Sequence, residues 1–330
     1  MQNGHYMTGD GNHHRMVEVD MMGNTIHNWD MLERGYTMHH AISQDKQGNI
    51  LATVSKTSAK IANGKDVRIN DFIIKMDPEK GEILQEWDLV NMLDSARYGM
   101  TDYNLTADPY AQNASNWAHN NGIVEWENDY LATARYQGIF KFNKAGGIEW
   151  IISPHGYWRD RYLKLLLNPL HADGTPISDP DVIAGTKNCD DFEWPWGCHT
   201  AVPLPNGHIF YFNNGYGRNF KLDFTDRKNV YTCGIEYEVD EVNRTVRQVW
   251  QYGKERGTAY FTPARSGVQY LEQTGNRLIC PGMSNVLSNG NRGARVTEVD
   301  PETQEIVFEL ELEDAIYQRV YRISLYPDNQ

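Results

Sequence analysis

Basic residues are scarce in this 330-residue chain: 31 Lys and Arg stand against 44 Asp and Glu, a formal net charge of −13. A global attraction to nucleic acid or to an anionic membrane is therefore not expected, and any anion must be met by a local positive cluster. Long apolar runs are also lacking. The stretch Tyr162–Leu170 contains Lys164 and is far shorter than the ~20 residues that span a bilayer. The start, Met1–His5, shows no signal-peptide pattern.

Long helical periodicity is scarce as well, whereas short alternating runs bounded by Gly, Asn and Asp recur along the chain. Representative runs are Asn49–Val54, Asp129–Ala134, His208–Phe212 and Ala294–Val299. The 9 Trp and 19 Tyr residues suit pleated, half-buried sheet surfaces. The sequence therefore predicts an all-β protein.

A repeated pattern organises these predicted strands. Each copy has a polar segment, a strand ending in a small or charged residue, a strand closing on an Asp or Asn turn, and an outer strand with an aromatic residue. Copies begin at His39, at His119, at His199 and near Arg265. Four-stranded units repeated around an axis are typical of a β-propeller. We therefore expect residues 1–330 to form a single β-propeller domain.

The two ends of the chain are expected to share one blade. The stretch Met16–Trp29 has the pattern of only the outer half of a blade, and Arg319–Tyr326 could add a strand that closes the ring. Two long insertions, Met92–Asn116 and Pro154–Asn188, interrupt the repeats. In propellers such insertions are expected on one face, where loops carry function.

Residues at the head of each innermost strand of a propeller converge on the mouth of the central channel. In this chain the heads are His39, His119, His199 and Arg265. A single such His is usually a strand cap. Three at one repeat position, in a chain with only 11 histidines, favour a functional site.

Two kinds of chemistry fit a convergent set of imidazoles. Three histidines could bind zinc or iron. However, Lys56 is predicted to end the strand after His39, and Arg135 the strand after His119, so cations occupy positions near the cluster. Imidazoles with a guanidinium bind a tetrahedral oxyanion such as sulfuryl or phosphoryl, and imidazole is a competent nucleophile. We therefore expect an anionic substrate and no metal.

The chain resembles the bacterial arylsulfate sulfotransferases over about residues 16–326. The resemblance is carried by His39-His40 with Gly48–Leu51, by Trp117–Asn121, by Arg135, and by Cys198–Ala201 with Leu204–Ile209. It implies a six-bladed propeller that transfers a sulfuryl group from an aryl sulfate donor to a phenolic acceptor by a ping-pong mechanism. It implies no cofactor, because that family uses no nucleotide sulfate donor.

Carried over residue by residue, the resemblance implies that His199 is the nucleophile and becomes transiently sulfated. The other candidates for binding and polarising the sulfuryl group are His39, His119, Arg135 and Asn121, followed by His40 and Lys56. Adjacent strand residues point to opposite faces, so only one of His39 and His40 is expected to face the channel. Aligning His39–Ile42 with His199–Val202 favours His39.

The chain also departs from the family pattern. The N-terminal β-sandwich-like domain and the export signal are absent from this sequence, although the resemblance implies a periplasmic or secreted protein. The incomplete first blade puts the dimer contacts of the family in doubt, so a homodimer is one of two alternatives for this chain. The family tends to have a disulfide close before the nucleophilic His. Cys189 and Cys198 lie in that region, and a bridge and two reduced thiols are equally compatible with their spacing.

Two functions other than sulfuryl transfer remain open. A propeller can be catalytically silent and bind a ligand or a protein, and it can also be a metal-dependent hydrolase. The joint presence of His39, His119, Arg135 and His199 favours the enzyme that transfers a sulfuryl group.

Overall fold

The computed structural model describes residues 1, 3–10, 14–63, 66–97, 117–284, 292–317 and 320–321. Within these ranges strands make up most of the regular secondary structure and the helices are few, which confirms the predicted all-β class. The α-helices are short: α1 Leu89–Met92, α2 Asp160–Leu163 and α3 Pro180–Ala184. The 3-10 turns are Arg218–Phe220, Arg227–Asn229 and Lys254–Ala259. None of the described helices has the length and apolar character needed to cross a membrane.

The strands form five sheets. The first contains β1 Tyr6–Asp10, β2 Arg15–Val19 and β3 Thr25–Asp30. The second contains β4 Thr37–Gln44, β5 Ile50–Asn63, β6 Asp66–Met76 and β7 Ile83–Asp88. The third contains β8 Asn120–Trp126, β9 Asp129–Ala134, β10 Gly138–Phe142 and β11 Ile148–Ile152. The fourth contains β12 Asn168–Leu170, β13 His199–Pro203, β14 Ile209–Asn213, β15 Cys233–Asp240 and β16 Thr245–Tyr252. The fifth contains β17 Ser266–Tyr270, β18 Arg277–Pro281, β19 Ala294–Val299 and β20 Ile306–Leu312.

The sheets follow one another around a β-propeller. Their innermost strands contact each other in chain order, β1 with β4, β4 with β8, β8 with β13 and β13 with β17. Met7 of β1, Ile42 of β4 and Gln269 of β17 line one cavity of about 440 Å³, so the first and fifth sheets approach each other. The described residues contain five blades, and the expected count of six is wrong. The repeat in the chain supplies only four full copies and the N-terminal sheet.

The N-terminal sheet also differs from the expected half-blade. The strand Tyr6–Asp10, which the sequence pattern does not reveal, pairs antiparallel with β2 along its whole length. The N-terminal segment therefore builds a three-stranded sheet of its own. The expected closing strand Arg319–Tyr326 lies outside the described residues apart from positions 320 and 321, which are not in a strand.

The second insertion extends a blade and is not only a loop on one face. Its β12 pairs in parallel with β16 and becomes the outer fifth strand of the fourth sheet. Helix α3 begins at a proline, and the Asp179 side chain accepts a hydrogen bond from the Asp181 amide at its N-terminus. It ends at Gly185 in the left-handed conformation. Most of the other insertion, Met92–Asn116, lies outside the described residues.

The core lies between neighbouring sheets. One apolar cluster joins the third and fourth sheets through residues such as Trp150, Ile152 and Tyr211, and another includes Leu51 of the second sheet and Phe140 of the third. Complete burial of one large apolar side chain contributes about 1.5–3 kcal/mol. These packed layers fix the relative positions of the innermost strands, and therefore of the residues at their heads.

Candidate functional site

The heads of four innermost strands share an unusual backbone conformation. A non-glycine residue takes a left-handed φ at each head: His40 (49°), His119 (54°), Thr200 (46°) and Arg265 (59°). Bulges in the pairing of β4, β8 and β13 lie at the same places. Each such residue costs about 1–3 kcal/mol and persists only where the surrounding structure fixes it. A bulge re-aims side chains away from the regular alternation of a strand.

Three imidazole rings meet at these heads. One ring nitrogen from each of His40, His119 and His199 lies within 4.8 Å of the others. The Nε2 atoms of His40 and His119 are 3.1 Å apart, and the ring centroids of His40 and His199 are 6.1 Å apart. His40 is exposed and His199 is buried, so the cluster runs from solvent into the protein. The rings come from the second, third and fourth sheets, and no single sheet contains the cluster.

His39 lies behind this cluster. Its Nδ1 is 3.2 Å from Nδ1 of His40, and its Nε2 is 3.6 Å from a carboxylate oxygen of buried Asp71. Burial raises the pKa of Asp71, although His39 and a hydrogen bond from Ser55 oppose the shift. The alignment that favours His39 as the channel-facing ring therefore differs from the structure, which places His40 in the cluster. The bulge between Met38 and Ile42 changes the alternation at this head.

His199 is held in one orientation by Asn214. The Nδ1 atom of His199 lies 2.6 Å from Oδ1 of Asn214 and 3.2 Å from the Gly197 carbonyl oxygen. Asn214 is itself fixed, because its Nδ2 donates to the Thr262 carbonyl at 2.8 Å and its Oδ1 accepts from the Ser266 hydroxyl at 3.2 Å. Both neighbours of Nδ1 are acceptors, so Nδ1 carries the proton and Nε2 keeps the lone pair.

Asn121 joins the third sheet to the backbone beside His199. Its Nδ2 donates to the carbonyl of Cys198 at 2.8 Å, and its Oδ1 accepts from the Thr133 hydroxyl at 2.7 Å. All of these polar groups are buried, where a lost partner is costly. The structure therefore uses Asn121 to position the segment that carries His199.

Arg135 directly follows β9 and is buried next to the histidines. Its backbone amide donates to the His119 carbonyl at 3.0 Å, and one guanidinium nitrogen donates to the Pro263 carbonyl at 2.8 Å. The guanidinium carbon lies 4.5 Å from the ring centroid of Tyr216. Removal from water, and then the positive charge of Arg135, hold the pKa of His119 well below its usual range. His119 is therefore a neutral imidazole at physiological pH.

Lys56 does not belong to this group. The sequence pattern predicts that Lys56 ends a strand, but β5 continues through it to Asn63. Its ammonium forms an ion pair with Glu86 at 2.6 Å and lies over the rings of Tyr36 and Phe72. The sequence predicts that Lys56 contacts a bound anion. In the structure its ammonium is paired with the Glu86 carboxylate instead.

The cysteines are all free thiols, so there is no bridge between Cys189 and Cys198. Cys198 is buried, and burial raises the pKa of its thiol to about 12. The thiol of Cys189 lies 3.1 Å from a carboxylate oxygen of Asp191. Of the two alternatives that the spacing leaves open, the structure contains the reduced one.

Sequence reasoning missed three side chains that hold the site together, namely Asp71, Asn214 and Tyr216. A signal existed for Asn214, because it directly follows β14 as Arg135 directly follows β9 in the preceding repeat. Asp71 and Tyr216 carry no comparable signal, since their roles come from packing between sheets.

The fold and the site together define a β-propeller whose innermost strand heads gather three imidazoles beside a buried guanidinium. The site combines the lone pair on Nε2 of His199, the neutral imidazole of His119 and the fixed positive charge of Arg135. Groups of this kind can bind an oxyanion and react with it. The chain belongs to the arylsulfotransferase (ASST) family, whose family model matches residues 1–322.

Two curated relatives share this assignment. The chain is 28% identical to the arylsulfate sulfotransferase AssT of Escherichia coli O6:H1 and 28% identical to AssT of Lelliottia amnigena. Each match covers 95% of this chain and 57% of the relative, so the chain spans a little over half the length of these proteins. Among solved structures, BamB from Moraxella catarrhalis aligns over 98% of this chain and 77% of its own at 8% identity, with a TM-score of 0.37.

Proposed function

We propose that this protein transfers a sulfuryl group from an aryl sulfate ester to a phenol through a sulfohistidine at His199. The observation that carries the proposal is the anchoring of the His199 ring. Asn214 and the Gly197 carbonyl hold Nδ1 as the proton-bearing nitrogen. This tautomer puts the lone pair on Nε2, the nitrogen that makes the nucleophilic attack in this proposal, and the anchored ring loses little orientational freedom when it reacts.

In the first half-reaction the Nε2 lone pair attacks the sulfur of the donor, and the bond between sulfur and the aryl oxygen breaks. The phenolate leaves with the electron pair and takes a proton from the site or from solvent. In the second half-reaction the acceptor oxygen attacks sulfur, the nitrogen–sulfur bond breaks, and the lone pair returns to His199. The acceptor loses its proton to a base. Because the first phenol leaves before the acceptor reacts with the sulfated enzyme, the kinetics are ping-pong.

The neighbouring groups have complementary roles in this proposal. Arg135 supplies a fixed positive charge beside the sulfuryl oxygens, where preorganised charge stabilises the transition state most effectively. His119 is kept neutral by burial and by Arg135, and it suits the role of proton acceptor for the incoming phenol. His40, the exposed member of the cluster, faces the side from which donor and acceptor enter. His39 contacts His40 from behind through Nδ1, and its Nε2 faces Asp71.

The donor and the acceptor are therefore an aryl sulfate and a phenol, and no nucleotide sulfate or other cofactor takes part. The family resemblance supports the proposal that the reaction occurs in the periplasm or outside the cell, and we propose that the chain acts as a single propeller domain. A homodimer fits the same resemblance.

A metal-dependent hydrolase is the second candidate, and one observation favours it. The ring nitrogens of His40, His119 and His199 are close enough to bind a single zinc or iron ion. The buried guanidinium of Arg135 opposes it, because a dication and a fixed cation repel each other in a poorly solvated site.

The deciding experiment is a release assay with a chromogenic aryl sulfate, run with and without phenol and after dialysis against a chelator. Sulfuryl transfer predicts phenol-dependent release that survives chelation and disappears in His199→Ala. His208→Ala is the matched control, since His208 directly precedes β14 of the same sheet and contacts Glu236 at 2.6 Å. Protein quenched in alkaline denaturant should carry a sulfuryl group on His199 when donor alone is present.

Other outcomes separate the alternatives. Release at a rate that does not depend on phenol and that stops after chelation would identify a metal-dependent hydrolase. Absence of release from folded protein over many donors would favour a binding propeller. Loss of folding in His199→Ala would show that His199 is structural, and circular dichroism of the variant detects this.

A further inference from the structure

A second cluster of metal-ligating side chains lies in the Pro154–Asn188 insertion and just after it. It consists of His171, Cys189 and Asp191, each of them half-buried. Nδ1 of His171 lies 3.0 Å from Oδ1 of Asp191, and the thiol of Cys189 lies 3.1 Å from the same oxygen. One ligand atom from each residue falls within 4.8 Å of the other two. No residue of the histidine cluster at the strand heads belongs to this group.

Local structure brings these three residues together. His171 follows the outer strand β12 and begins a tight turn closed by the Gly174 amide on the His171 carbonyl. Asp191 reaches back to this turn, because its second oxygen accepts from the Ala172 amide at 2.9 Å. Cys189 packs against the core cluster that contains Phe192. The cluster therefore connects the edge strand of the fourth sheet to the segment that leads into β13.

We propose that His171, Cys189 and Asp191 bind a zinc-class transition metal that fastens this insertion to the fourth blade. The donor set is one nitrogen, one sulfur and one oxygen. Thiolate and imidazole donors select zinc and its neighbours, whereas calcium and magnesium are bound by oxygen donors. On binding, the thiol of Cys189 loses its proton to solvent and the sulfur bonds to the ion.

The distances are close to those that a tetrahedral ion requires. In a tetrahedral site, zinc bonds of about 2.0–2.3 Å place neighbouring ligand atoms about 3.3–3.7 Å apart. The two separations on Asp191 are 3.0 and 3.1 Å. Each needs to lengthen by roughly half an ångström. The partial exposure of His171 and Asp191, 39% and 37% of their side chains, leaves a side open for a water ligand.

Cobalt provides the direct test, because a thiolate bound to Co²⁺ produces charge-transfer absorption in the near ultraviolet and an all-nitrogen site does not. Reduced full-length protein is freed of metal with a chelator and titrated with Co²⁺ alone. We expect one Co²⁺ per chain with the thiolate band, and displacement of that band by Zn²⁺. Binding by the histidine cluster at the strand heads would lack the band.

Variants assign the ligands. Cys189→Ser should abolish the band, and His171→Ala should weaken Co²⁺ binding by more than the roughly 10–100-fold caused by losing an outer partner. His208→Ala is the control, because it also removes a half-buried His that contacts a carboxylate. Zn²⁺ should raise the melting temperature of wild type but not of His171→Ala, a readout that remains if Cys189→Ser folds poorly.

Three results would overturn the site. These are the absence of a thiolate band in wild type, a band unchanged in Cys189→Ser, and equal Zn²⁺ stabilisation of wild type and His171→Ala. None of them depends on sulfuryl transfer, so the metal site and the proposed function can fail separately.

Discussion

Replacing Asn214 with alanine tests whether the orientation of His199 drives the reaction. The Oδ1 atom of Asn214 lies 2.6 Å from Nδ1 of His199, and the remaining acceptor, the Gly197 carbonyl, is at 3.2 Å. Leaving a buried polar group without a good partner costs about 1–3 kcal/mol. If this whole free energy is lost from the stabilisation of the transition state, the rate of histidine sulfation decreases by about 5- to 150-fold.

The assay is the burst of chromogenic phenolate that one enzyme equivalent releases when acceptor is omitted. In Asn214→Ala the rate of the burst should fall while its amplitude stays near one per chain, because His199 is still present. Ser266→Ala is the matched control, since it removes the other donor to the same oxygen and leaves the contact with His199 in place. A burst rate in Asn214→Ala within about twofold of wild type would refute the positioning role. An equal decrease in both variants would refute it as well.

Three further changes test other parts of the structure. Arg135→Lys should reduce transfer strongly, because a point charge cannot reproduce a guanidinium fork on two oxygens, and near-normal turnover would contradict the oxyanion role. Burial alone would raise the pKa of Glu236, but hydrogen bonds from Arg277 and His208 together outweigh it and hold the pKa below its usual value. The contribution of ionised Glu236 to the free energy of unfolding is fully present above the ordinary Glu pKa of about 4.3 and is lost as the pH falls through the lowered pKa. Urea melts of wild type and Glu236→Gln should therefore differ at neutral pH and converge in acid. Gly138 has a φ of 98°, and a Cβ there would lie 2.3 Å from the Ile152 carbonyl oxygen. Gly138→Ala should therefore destabilise the fold by more than about 1 kcal/mol in the same urea melts. An unchanged unfolding midpoint would contradict this.

The repeat in the sequence was sufficient to predict the all-β class and the strand heads at His119 and His199. It placed Arg135 correctly at the end of the second strand of its sheet. These predictions succeed because rotation about one axis brings equivalent positions together, whatever their distance along the chain. The sixth blade rested on the family resemblance alone, and the described residues contain five blades.

The remaining differences have local physical causes. The alignment of His39 with His199 assumes a regular strand, but the bulge before Ile42 and the left-handed backbone of His40 change which ring reaches the cluster. The sequence pattern predicts a strand end at Lys56, but β5 continues past it to Asn63. Alternation of polar and apolar residues does not reveal bulges or strand extensions of this kind.

Three polar contacts of the site join parts of the chain that are remote in sequence, and this sets the order in which the protein can acquire activity. The contact of His40 with His119 spans 79 residues, that of Asn121 with the Cys198 carbonyl 77, and that of Arg135 with the Pro263 carbonyl 128. Single hairpins form quickly because their contacts are local, whereas contacts of this range form only after sheets have docked. During refolding, catalytic competence should therefore appear later than β-sheet circular dichroism. A chain interrupted after the third sheet would contain two of the three clustered rings and still have no site.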